Sequence, residues 1–323
     1  MNKTTVFRAI AGICIAVGAL AMSACSKNEP DSAAKTGKPA AQKNADQQGI
    51  EKYNHYIKAA NTDGKFAFVL EYNEKYVIPA LKSGEQFDHL YVVDDYDIKG
   101  IKSDLEAGLA ISVPMPELDQ AAKNYAEALA RLEPLNPELK SYAETKGFLS
   151  DGGAKAKEKG PAYFAALGDV IKAQEAFDEA TDKQDMLNVK QEFDRKKPDT
   201  AAYFRAGILY HGKLSLAASD DFFSDTENAE ARANFKASLD KVNDMLTGLE
   251  GKLKPGSSCF TVRSLLSSGR GALADAEKGN FRPRNSSRLT REDAERTLTW
   301  ARNDFSQQFK NMITRFNQQR LCD

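Results

Sequence analysis

The stride of its apolar residues constrains this chain more than any other feature. Leu118, Ala122, Tyr125, Leu129, Leu132, Leu135, Leu139 and Tyr142 recur at steps of three and four. That is the period of one helix face, not the alternation of a strand. Tyr163, Leu167, Val170, Gln174 and Phe177 keep the same stride with one polar member. Phe235, Leu239, Val242, Leu246 and Leu249 repeat it, as do Leu298, Ala301, Phe305, Phe309, Met312 and Phe316. Each set makes one apolar stripe with a polar back, the pattern of helices packed side by side. Strand patterning is nearly absent. Leu90-Tyr91-Val92-Val93 is a short run without an evident partner, and Asp94, Asp95 and Asp97 follow at once as a surface turn or helix start. The expected fold is all-α, a long-helix bundle.

Local punctuation sets the expected helices at 49–82, 97–110, 117–146, 154–194, 199–222, 226–250, 258–277 and 290–320. Thr290 can cap a helix, with Asp293 at the third helical position in a variant of the capping box. Gly160-Pro161 reads as a helix stop and a new first turn, and Lys197-Pro198-Asp199-Thr200 as another start. Pro79 should kink or end the first helix, and Pro134 and Pro137 should interrupt the long stripe after Leu132. Asp220-Asp221 before Phe222-Phe223 reads as a helix end.

Ahead of the bundle lies a targeting signal. Lys3 and Arg8 precede an apolar stretch from Ala9 to Met22, too short for the roughly 20 residues a membrane span needs. A basic start, a short apolar run and small residues before a cut site make a secretory signal. Met22-Ser23-Ala24-Cys25 resembles the lipobox of bacterial lipoproteins, with Met22 in place of the usual Leu. The resemblance implies cleavage after residue 24, lipidation (palmitate included) of Cys25, and membrane attachment through that residue. Ile13 is too bulky before Cys14 for that cysteine to be the acceptor. Ser26 resembles the sorting signal for the outer membrane in a Gram-negative host, facing the periplasm. From Ser26 to Gln48 the chain is polar and aperiodic, a flexible tether reaching roughly 25–30 Å. The folded domain then occupies 49–323 and can divide in two near residue 195.

The 45 basic residues nearly balance 46 acidic ones, so the basic footprint of a nucleic-acid binder is missing and no nucleic-acid partner is expected. With Cys14 removed and Cys25 lipidated, Cys259 and Cys322 remain, and an oxidising compartment favours their pairing as a disulfide. No CxxC occurs, and no His lies near either cysteine.

Lys52-Tyr53-Asn54 with Tyr56-Ile57, and the stretch from Ser141 through Tyr142, Gly147, Phe148, Asp151, Gly152 and Gly153 to Lys157, resemble the YiiG-type bacterial lipoproteins. Lipobox, polar tether and long helical domain match that layout, and the resemblance covers roughly residues 50–320. Where the family pattern has Gly between two lysines, this chain has Ala156. The resemblance implies a helical domain of unknown function and carries over no catalytic or binding residue.

Candidate chemistry is sparse. His55, His89 and His211 stand far apart without metal-ligand spacing, so neither a metal site nor a cofactor is expected. Asp94, Asp95 and Asp97 lack the calcium-loop pattern and suit helix capping better. Residues 278–291 hold Arg282, Arg284, Arg288 and Arg291 with no acidic residue. Arginine forks suit anionic partners, although nearby Glu292, Asp293 and Glu295 could neutralise them. No nucleophile elbow, phosphate loop or dinucleotide fingerprint is present. The first functional expectation is a non-catalytic binding module that meets an envelope protein, glycan or small ligand. The alternative is a hydrolase or other envelope enzyme with a site assembled from distant residues.

Overall fold

A computed structural model describes residues 40–283 and 290–322, with the side chains of 40–45 left aside. The signal segment, Cys25, most of the tether, Arg284 and Arg288 lie outside the described residues. All regular structure among the described residues is helical. The chain forms two compact units, divided between Gln184 and Asp185.

The first unit begins with α1 (Ala40–Asn61) and α2 (Phe66–Tyr72), which continues through a π-helical turn (Asn73–Val77) into α3 (Ile78–Ser83). Then come α4 (Asp95–Ala110), α5 (Pro116–Leu132), α6 (Asn136–Glu144), a single turn α7 (Phe148–Asp151) and α8 (Ala154–Asp194), which runs through the division. α1 packs on α4 and α4 on α5. The core holds Tyr56, Ile98, Ile101, Leu105, Leu118, Tyr125, Leu129, Tyr163, Leu167 and Phe177, so the stripes of α5 and α8 face inward as their spacing requires. A buried polar peg crosses this core. The Lys52 ammonium donates to Asp119 and to the carbonyls of Ile111 and Val113, and Tyr56 donates to Asp119 at 2.6 Å. Burial first, then the Asp119 carboxylate, hold the Tyr56 hydroxyl far above its ordinary range.

The second unit contains α9 (Ala201–Ser224), α10 (Ala229–Glu250), α11 (Phe260–Glu277) and α12 (Arg291–Asn317). Each packs on the next, and α12 returns to α9, closing a four-helix ring. Phe222, Phe235, Leu239, Val242, Val262, Leu265, Phe305 and Met312 fill it. Small residues set the close approaches: a Cβ at Gly269 would lie 2.8 Å from Leu239.

Several expectations need correction. The helix expected over 49–82 starts at Ala40 and breaks after Asn61, so residues 40–48 are helical where a tether was expected. The break is a turn in which Asp63 accepts from the Lys65 N–H and Lys65 takes φ 52°. Pro79 neither ends the run nor stops α3, because it falls in the first turn of that helix, directly after the π turn. Gly160-Pro161 does not stop α8. Pro161 is exposed and so is Lys157, whose carbonyl loses its intrahelical donor but faces water. The buried stripe through Ala156, Gly160, Tyr163 and Leu167 carries the helix on.

Elsewhere the punctuation acts as read. Pro134 sits in a short 3-10 turn and Pro137 opens α6. Thr200 caps α9, and Thr290 with Asp293 forms the capping box of α12.

Candidate functional site

The buried stripe of the α2–α3 run is Phe66, Val69, Asn73, Val77 and Ala80. Beside it, turned by about 100° around the helix, runs a second stripe: Phe68, Tyr72 and Tyr76. One helix can give the core only one face, so the ends of the second stripe stay exposed while Tyr72, between them, is partly buried against the core. Phe68 is 52% exposed, Tyr76 49% and Tyr91 38%. Ring centroids lie 6.3 Å apart for Phe68 and Tyr72, and 4.8 Å for Tyr72 and Tyr76. Tyr91 joins from the extended segment before α4, at 4.5 Å from Tyr72 and 5.2 Å from Phe68, with His89 beyond it at 6.2 Å. Together these rings form an exposed aromatic ledge on the first unit.

The extended segment is the strand candidate of the sequence, and side chains take the place of a strand partner. Asn73 donates to the Tyr91 carbonyl at 2.8 Å and accepts from its N–H at 3.4 Å. Its amide also reaches the Val69 carbonyl at 2.8 Å, inserting into the helical ladder where the π turn forms. Two residues on, the Val93 N–H donates to the Tyr163 hydroxyl, and Asn136 donates to the Val93 carbonyl. The ledge is thus fixed by buried amides and a buried phenol.

The residues singled out in the sequence fall elsewhere. Asp94 caps α4 by accepting from the Tyr96 N–H, and Asp95 accepts from Asn136. Lys140 lies 3.2 Å from Asp94 and 3.8 Å from Asp95. His55 sits 3.9 Å from Asp104. His211 packs against Phe193 and Tyr210, and burial holds its imidazole below the usual range. Among the described residues no cluster of His, Cys, Asp and Glu could hold a metal ion. Cys259 and Cys322 form a disulfide with Cα atoms 4.0 Å apart. Arg282 is ion-paired with Glu227, and Arg291 with Glu295 at 2.9 Å. Both described arginines of the basic loop therefore already hold a carboxylate.

The stretch over 141–157 proves architectural. The Tyr142 hydroxyl donates to Asp151 at 2.5 Å, and Asp151 accepts from the Gly153 and Lys155 N–H groups. That phenol first, then the backbone donors, hold the Asp151 carboxyl below its usual range. Gly152 and Gly153 adopt φ 65° and 85°, a region that favours glycine. A Cβ on Gly153 would also stand 2.8 Å from Leu81.

The class defined so far is an all-α protein of two helical units with an exposed aromatic ledge on the first. The chain belongs to the family described as a protein of unknown function (DUF3829), whose model matches residues 47–318. No curated protein and no solved structure matches the chain.

Proposed function

We propose that the protein is a lipid-anchored module of the cell envelope, of the YiiG type, that holds a partner without catalysing a reaction. Cys25 of the lipobox carries the anchor, placing the domain at the outer membrane facing the periplasm in a Gram-negative host. No helix among the described residues is long and apolar enough to cross a membrane. The observation that carries the binding role is the aromatic ledge. Phe68, Tyr76 and Tyr91 stay 38–52% exposed although burying one such side chain is worth about 1.5–3 kcal/mol, and tyrosine-rich exposed patches mark places where partners dock.

One experiment tests both halves. A photo-crosslinking amino acid at Phe68 or Tyr76, activated in intact cells, should capture a discrete envelope partner from the membrane fraction. Cys25→Ser should move the protein out of that fraction. Crosslinks from exposed control positions on α12 equal to those from the ledge would remove the docking role. Membrane retention and palmitate incorporation that persist in Cys25→Ser would remove the anchor.

A further inference from the structure

The ledge is not a flat platform. Tyr91 meets Tyr72 at 82° and Phe68 at 68°, whereas Phe68 and Tyr72 tilt by 40°. Its rings therefore present faces in nearly perpendicular directions. A sugar ring lays its C–H bonds on one broad aromatic face, whereas a compact cation gains from several faces at steep angles. A cation already uses this surface: the Lys75 ammonium lies 4.9 Å from the Tyr76 ring centroid.

The surrounding charge has the matching sign. Residues 66–91 carry Glu71, Glu74, Glu85 and Asp88 against Lys75 and Lys82. Glu71 is exposed, three residues after Phe68 and so on the ledge side of α2. Asp88 is exposed in the extended segment that brings in Tyr91. Burial first, then Tyr91, Tyr76 and Asp88, hold the Tyr72 hydroxyl above its usual range.

We infer that the ledge docks a cationic side chain, Lys or Arg, of a partner protein, lying against the faces of Phe68, Tyr72 and Tyr91 with Glu71 and Asp88 as counter-charges. The inference rests on the ledge being the docking place. Lys75 is then a resident competitor that an incoming cation meets at Tyr76.

The test titrates the full-length chain in detergent with an arginine-bearing peptide, and separately with an N-acetylglucosamine oligomer, reading tyrosine ring resonances. The peptide should shift the ledge rings. Phe68→Leu and Tyr76→Leu keep apolar volume but lose the π face, and each should weaken binding by about two- to five-fold. Asp88→Asn should weaken binding and flatten its salt dependence. Lys75→Met should strengthen it, an effect of opposite sign that generic apolar docking does not produce. Melting temperatures should stay unchanged in all four variants. Equal affinity in the leucine variants, or weaker binding in Lys75→Met, would overturn the cation reading. Sugar binding at the ledge without peptide binding would overturn it too, while leaving the ledge as the docking place. If neither probe binds and cells yield no crosslink from Phe68 or Tyr76, both readings fail together.

Discussion

Single residues decide most of what is unusual here, and the clearest is Asn73. It is fully buried in the middle of a helical run, where an amide has no place unless it is bonded. Replacing it with Leu would keep the volume but leave the Tyr91 peptide without its partner on either side. The expected cost is about 1–3 kcal/mol, the penalty for stranding buried polar groups. Urea unfolding of Asn73→Leu measures it, and a loss below about 0.5 kcal/mol would mean the segment is held by other contacts. Leu90–Val93 was legible as extended chain, because its residues favour that conformation. Its partners were not, since they are amides and a phenol drawn from distant helices. Asp220 offers a second test. Burial raises its carboxyl to about 6, against the pull of Arg302, whereas the unfolded chain titrates near ~3.9. The folded state therefore takes up a proton between these values that the unfolded chain does not, and stability from this group grows as pH falls from about 7 to about 4. Asp220→Asn should flatten that slope, and melting curves across this range would show it. An unaltered slope would assign the titration to another group.

At the scale of elements, the sequence was most readable where one stripe and one cap agreed. α8 spans 154–194 as its stride implied, and α12 begins after the Thr290 cap. It was least readable where two local signals competed. Asn61-Thr62-Asp63-Gly64 is itself a turn signal, yet the helix expected over 49–82 runs straight through it. Gly160-Pro161 is the converse case, a stop signal overruled by the buried face. The aromatic ledge was hidden for a related reason: spacing alone does not say which of two adjacent stripes faces the core. The disulfide is an element-scale staple. Cys259 is fully buried at the start of α11, and Cys322 follows the end of α12 across a separation of 63 residues. Closing a loop of that length stabilises by roughly 4 kcal/mol in the chain-entropy model. Cys322→Ser should lose up to that amount, with amide exchange rising first in the last turn of α12. Exchange that rises uniformly across all four helices of the unit would show that the bond holds the whole ring rather than its end.

For the whole molecule, the family match over 47–318 takes in both units, so the family is defined by the pair. Each unit nevertheless has an interior of its own. One buried cluster draws on residues 53–180, while α9 to α12 close around Phe222, Phe235 and Phe305. Phe235 stacks on Phe222 at 5.1 Å and meets Phe305 edge-on at 5.1 Å, so aromatic packing links three helices of the ring. Buried Asp185 and partly buried Lys213 are ion-paired within this unit, which fastens the last turns of α8 to α9. A chain of this length with a closed interior and an internal disulfide meets the requirements of an independent domain. Residues 185–323 produced alone in an oxidising compartment should therefore be helical by circular dichroism and melt cooperatively, and reductant should lower the melting temperature. Lys213→Met should destabilise this fragment by about 3–5 kcal/mol, because it leaves the Asp185 carboxylate buried without its cation. A fragment that shows no cooperative transition would mean that the second interior is completed by residues before 185, and the division of the chain would have to be redrawn.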